Sequence, residues 1–119
     1  MARVPETQLQ NVEPVEKIAV ASVSGSENSE ISNVAGRAPW FLIFDKNGNF
    51  LKSVKNPGVA MGRGASGAVT NLLLKEACKI MVAGQLGYKM ENQLKANEID
   101  FYKSSGNAKK VVQHLVSSF

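Results

Sequence analysis

Apolar residues fall in short runs separated by turn-forming stretches, and the period changes partway along the chain. Lys17-Ile18-Ala19-Val20-Ala21-Ser22 is a continuous apolar run, the pattern of a strand buried on both faces. Trp40-Phe41-Leu42-Ile43-Phe44-Asp45 is a second strand, rich in aromatic and branched residues. Lys46-Asn47-Gly48-Asn49 follows, and its Asn-Gly pair is a hairpin signal because both residues tolerate positive φ. Phe50-Leu51-Lys52-Ser53-Val54-Lys55 then returns antiparallel, and Asn56-Pro57-Gly58 ends it.

From there the spacing becomes helical. Ala65, Ala68, Val69, Leu72 and Leu73 mark one apolar stripe, and Leu86, Met90 and Leu94 a second. Ala108, Val111, Val112, Leu115 and Val116 mark a third, with Ser104 or Ser105 expected as its cap. Short apolar strands at 79–83 and 99–102 separate the helices. The order βββαβαβα predicts an α/β fold with a mixed five-stranded sheet and three helices, in which the strands at 17–22, 79–83 and 99–102 run parallel. This is the ribonuclease H-like motif. Residues 1–16 are polar, contain Pro5 and Pro14, and read as an N-terminal extension to a single domain over 17–119. The Ser-rich stretch 22–32 reads as a loop.

Composition narrows the class. The chain has 119 residues, which suits one domain, and 44% are hydrophobic, enough for a core without staples. A lone cysteine excludes an intramolecular disulfide and fits a reducing compartment. No apolar run approaches the ~18 residues of a membrane span, and the first eight residues lack the apolar stretch of a signal peptide. These features place the chain in the cytoplasm. The net charge is +4 and uneven. Residues 1–16 carry one base and three acids, so 17–119 carry 13 bases and 7 acids, a net of +6. A positive domain favours anionic partners, or serves solubility alone.

Candidate chemistry is sparse. A nuclease of this fold needs converging carboxylates, but the first strand holds no acid and the only aspartates, Asp45 and Asp100, lie on separate strands. Asp45 is better read as the entry to the hairpin. Gly62-Arg63-Gly64-Ala65-Ser66-Gly67 spells GxGxxG, yet 56–61 separates it from the preceding strand, and the next strand ends in Ala83-Gly84-Gln85 without an acid. Both features argue against a dinucleotide site. What survives is a helix entry whose backbone N–H groups can approach an anion. Cys78 precedes its strand at the edge opposite to where ligands bind and reads as a core residue. His114, the sole histidine, reads as a surface residue, so no Ser–His–Asp or Cys–His pair and no zinc spacing exist. Met81 and Met90 fit core positions, whereas Met61 falls in a loop. Nucleic-acid binding is disfavoured, because no reader motif accompanies the basic charge.

Several segments carry a resemblance: "KIAVAS" at the first strand, "GRAPWFLIFD" at the second, "NPG" after the third, and "MVAGQLGYKMENQLKANEIDFY" from the fourth through the fifth. Jointly they resemble the dinitrogenase iron–molybdenum cofactor biosynthesis family over nearly all of 17–119. The resemblance implies the same ribonuclease H-like fold and a non-catalytic carrier of molybdenum- or iron-containing clusters. It also implies a partner that donates or accepts the cluster. One departure stands out. Family members often read Pro-His-Phe-Gly-Arg-Ala before the second strand; here the segment is Asn33-Val34-Ala35-Gly36-Arg37-Ala38. Val34 thus occupies the place of an imidazole that would suit a metal.

The parallel strands release the loops 22–26, 84–87 and 104–107 at one edge, beside helix N-termini with free N–H groups. Loops bearing Arg37 and Arg63 could fold over the same edge. The candidate residues for non-covalent holding of an anionic molybdenum- or iron-type sulfur cluster are therefore Ser22, Ser24, Arg37, Arg63, Gly64, Gly84, Gln85, Gly87 and Ser104, with no direct metal ligand. The alternative is a protein-interaction module of the same fold that no longer binds a cluster.

Overall fold

The computed structural model describes residues 16–61 and 63–118. The extension expected over 1–16 therefore lies, Glu16 apart, outside the described residues. Five strands form one sheet: β1 (Lys17–Ser22), β2 (Trp40–Phe44), β3 (Phe50–Lys55), β4 (Cys78–Ala83) and β5 (Asp100–Lys103). Their spatial order is β3-β2-β1-β4-β5. β2 pairs antiparallel with both β1 and β3, while β4 pairs parallel with both β1 and β5. This is the mixed ribonuclease H-like arrangement read from the element order. Three helices complete it: α1 (Ala65–Lys75), α2 (Tyr88–Ala96) and α3 (Ala108–Val116).

β1 sits at the centre of the sheet, which is why its run is apolar without alternation. Ala19 and Ala21 face α1 and α2, in a core with Phe41, Ile43, Met81, Val69, Leu73, Met90 and Leu94. Ile18 and Val20 face the other way, in a core with Leu42, Phe44, Ile80, Val82, and Ala108 and Val112 of α3. Small alanines on one face of β1 let two helices approach it. The larger branched residues on the other face fill the space beside one. Each fully buried Leu, Ile or Phe contributes about 1.5–3 kcal/mol.

The hairpin forms as its Asn-Gly pair predicts. Gly48 adopts φ 89°, and one carboxylate oxygen of Asp45 accepts the N–H groups of Asn47 and Asn49, both at 2.9 Å. Several boundaries differ from the expectation: β2 ends at Phe44, one residue early, and β4 begins at Cys78, one residue before the expected start. β5 is shifted one residue on from 99–102, because the N–H of Ile99 is taken by the Leu94 carbonyl at the end of α2. The α3 cap is Asn107, whose side chain accepts the Lys110 N–H at 3.0 Å, rather than Ser104 or Ser105. Ser104 instead extends the ladder by donating to Ala83, and the positive φ of Gly106 then turns the chain so that Asn107 is the last extended residue. Cys78 opens β4 and is buried, at the N-terminal edge where the sequence places it. Met81 and Met90 are core residues, and His114 lies exposed on α3.

Candidate functional site

The chain between β1 and β2 determines what the sheet edge can offer. Residues 29–35 run across the C-terminal ends of the parallel strands as a strap. Ser32 donates to Ala21 (2.8 Å) at the end of β1 and accepts from Gly84 (2.9 Å) at the end of β4. Ile31 donates to Gly106, Ala108 donates to Ser29, and Ala35 donates to Gln85. Two backbone donors at this edge, those of Gly84 and Ala108, are thus bonded to the strap. Gly84 is in close contact with it: a Cβ there would lie 2.7 Å from Asn33 Cα.

The strap separates the candidate residues into two groups. Ser22, by strand alternation, shares the α3 face with Ile18 and Val20; it is buried, and its hydroxyl donates to the Ser24 carbonyl at 2.7 Å. The Ser24 N–H is bonded to the Ser29 hydroxyl at 3.0 Å. Ser104 also lies on this side, in an apolar hollow of about 180 Å3 with Val82, Tyr102, Val111, His114 and Leu115. The other group lies towards α1 and α2. Arg37 closes a single 3-10 turn, Ala35–Arg37, that packs against α1 and leaves its own side chain exposed. Gln85 pairs with Val34, and Gly87 is the N-terminal cap of α2 with open space around its Cα.

Arg63 and Gly64 line a groove of about 630 Å3 between the heads of α1 and α2, together with Ala65, Ser66, Gly67, Lys89 and Gln93. Gly64 caps α1 in a left-handed conformation (φ 80°), so no side chain bonds the first turn. The first backbone bond of the helix is Ala68 to Gly64, which leaves the N–H groups of Ala65, Ser66 and Gly67 ahead of the ladder. Among the described residues no acid lines the groove or occupies the first turn of α1. Three carboxylates are paired with lysines outside the groove: Glu76 with Lys52 (2.7 Å), Glu91 with Lys103 (3.2 Å) and Glu27 with Lys109 (2.6 Å). The groove joins two cations, a helix dipole and free N–H groups, a combination suited to an anion.

Lys89 and Gln93 were not among the candidates read from the sequence. Their signal was their place on the exposed face of the α2 pattern, one turn apart, but only the packing of α2 on α1 puts that face beside Arg63. Arg63 and Gly64 are brought together with them as the helix entry suggested; Gly62, the first glycine of that motif, lies outside the described residues. Among the described residues no group of three or more His, Cys, Asp or Glu could hold a metal ion. The donors that line the groove offer hydrogen bonds and positive charge, which suit an anion.

No curated protein sequence shows significant similarity to the chain. Solved structures do. The apo form of the orange protein from Desulfovibrio gigas matches with TM-score 0.80 and 20% identity, over 87% of this chain and 89% of that one. A NifB-type protein from Thermotoga matches with TM-score 0.72 and 23% identity, over 86% and 88%. A dinitrogenase-type protein from Methanocaldococcus jannaschii matches with TM-score 0.58 and 16% identity, over 87% and 90%. At these identities the likeness speaks for the fold. Residues 16–118 match the family described as dinitrogenase iron-molybdenum cofactor, and that match spans nearly all of the described chain, so the protein belongs to this family.

Proposed function

We propose that this protein is a non-catalytic carrier that holds an anionic metal–sulfur cluster of the molybdenum or iron type, or a precursor of it. The observation that carries this reading is the groove at the head of α1, without an acid among the described residues, where Arg63 and Lys89 flank free N–H groups in a chain of the iron-molybdenum cofactor family. Sulfido and oxo groups at a cluster surface accept hydrogen bonds. The guanidinium of Arg63 offers a planar fork of donors, and the ammonium of Lys89 a point charge. The Ala65, Ser66 and Gly67 N–H groups add donors that need no reorganisation. Gly67 keeps this wall low; a Cβ there would only just touch the Gln93 amide, at 3.8 Å. Arg37, Gln85 and Gly87 form the flank of the same site. A partner that donates or accepts the cluster belongs to this reading. Among the described residues no helix is long and apolar enough to cross a membrane.

Anaerobic titration with tetrathiomolybdate tests the proposal, following absorption and backbone amide shifts. The expected result is saturable shifts at Arg63, Gly64, Ser66, Gly67 and Lys89, with smaller ones at Arg37, Gln85 and Gly87. Shifts at Ser22, Ser24 and Ser104 would extend the site beneath the strap to the α3 side. Absence of shifts at all of these positions would rule the reading out. One observation favours the second reading, an interaction module without a cluster: Val34, where the family motif has histidine, is 44% exposed on the strap, and Tyr88 at the head of α2 is 73% exposed. Exposed aromatic and branched residues suit a protein contact. A protein partner retained by the Arg63→Ala variant, with no thiomolybdate binding by the unaltered chain, would establish it.

A further inference from the structure

Asn56 lies just past the end of β3 and is 6% exposed. Its side-chain amide donates to three carbonyls: Ala38 at 2.8 Å, Gly36 at 3.3 Å and Ala35 at 3.4 Å. Its carbonyl oxygen accepts the Gly58 N–H at 2.7 Å. An amide carries two hydrogens, so two of the three carbonyls share one of them. Rotating the amide by half a turn would set its oxygen against three carbonyl oxygens, so the partners dictate its orientation.

The two sides of this side chain lead to different parts of the groove. The three carbonyls belong to the 3-10 turn that ends in Arg37 and to the residue that follows it. Gly58, on the other side, rests on the first residue of α1: a Cβ on Gly58 would lie 3.1 Å from Ala65 Cβ and 3.2 Å from its Cα and O. Ala65 follows Arg63 and Gly64 directly. One buried amide therefore spans the turn bearing Arg37 and the loop that delivers Arg63.

We propose that Asn56 is the positioning residue of the groove: its side chain clamps the Arg37 turn and the head of α1 into one frame and so aligns the donors that meet the anion. This inference rests on the carrier reading above. Only asparagine suits the place. Aspartate would turn a carboxylate towards three carbonyls, alanine would leave buried polar groups without partners, and glutamine is one methylene too long.

Asn56→Asp is compared with the unaltered chain in two measurements. The first is amide hydrogen exchange without ligand at pH 8 and pH 6. The second is tetrathiomolybdate titration at pH 8. Protection at Arg37 and Ala38 on one side, and at Gly58 and Met61 on the other, is expected to fall together by tenfold or more at pH 8. Val20 and Met81 in the core stay unchanged. Protection recovers at pH 6, where a carboxyl buried among carbonyls takes up a proton and regains one donor, a response that loss of packing alone would not give. The thiomolybdate Kd rises about tenfold. Asn56→Ser, whose single hydroxyl is polar but too short to span both sides, serves if the aspartate variant does not fold, with the same joint loss expected. Loosening of only one segment, or unchanged affinity in a variant whose parent binds, overturns the proposal. If the unaltered chain does not bind thiomolybdate, the carrier reading fails separately, and unchanged exchange at either segment still overturns the clamp.

Discussion

Asp45 shows how much one side chain does for a turn. Partial desolvation pushes its carboxyl up, but the Asn49 backbone and side chain, then the Asn47 and Gly48 backbone, together outweigh this and hold it below the usual aspartate range. A carboxyl depressed in the folded state contributes stability that is fully present above its ordinary value and lost as pH falls through the depressed one. Asp45→Ala should therefore cost about 1 kcal/mol in urea unfolding at neutral pH, and the difference should vanish in acid. Cys78 shows the opposite sign. Burial, reinforced by Glu76 and opposed by Lys17 and Lys52, pushes its thiol up to about 12. The unfolded thiol ionises first, near ~8.5, so stability should decline as pH rises above that value. Ellman's reagent should find no reactive thiol in the native protein at pH 8; rapid reaction would refute the burial argument. In the groove, Arg63→Ala should weaken thiomolybdate binding roughly tenfold, about 1.4 kcal/mol, with an unchanged melting curve.

At the scale of elements, what the chain declares and what it conceals have different physical origins. β1, β2 and the 46–49 turn announce themselves because burial on both faces and positive φ are local demands, written in Ile18–Ala21 and in Gly48. The three helices are legible by their stripes for the same reason. The strap is not, since 29–35 is held by bonds from Gly84, Gly106 and Ala108, residues far away in the sequence. For that reason Ser22 and Ser104 read as rims of one crevice, while the folded chain sets them on the α3 side, away from Arg63. Lys89 escapes a linear reading because its relevance depends on the packing of α2 against α1. Gly84→Ala tests the strap. A methyl 2.7 Å from Asn33 Cα must lift it, costing about 1–3 kcal/mol by the usual measure of overpacking. Raised amide exchange at Ile31, Ser32 and Ala35 should accompany the loss; an unperturbed strap would contradict the close contact.

For the whole molecule, charge is the property that bears on function. Residues 17–119 carry 13 bases against 7 acids, and three of those acids are paired with lysines away from the groove. A field of this sign gathers anions, but its reach is set by salt. Affinity for tetrathiomolybdate should fall several-fold between low ionic strength and about 1 M, where the Debye length shrinks to about 3 Å. Salt-independent binding would point to shape or coordination in place of charge. Metal and sulfide analysis of protein purified without oxygen addresses the same question from the native side.

The strap also governs how the molecule comes into being during synthesis. β1 emerges early, yet its parallel neighbour β4 lies some 60 residues later in the chain, and the strap's anchors at Gly84, Gly106 and Ala108 come later still. A chain synthesised only as far as residue 61 has β1, β2 and β3 but not β4, so one edge of β1 has no partner and no helix covers either face. That intermediate exposes apolar surface and an unpaired strand. The strand edge is covered when β4 pairs with β1, and the second face only when the last helix arrives and Ala108 bonds to Ser29. The groove is lined from the entry to α1 and from α2, so its walls are already synthesised before the last helix arrives to seal the strap over the sheet edge.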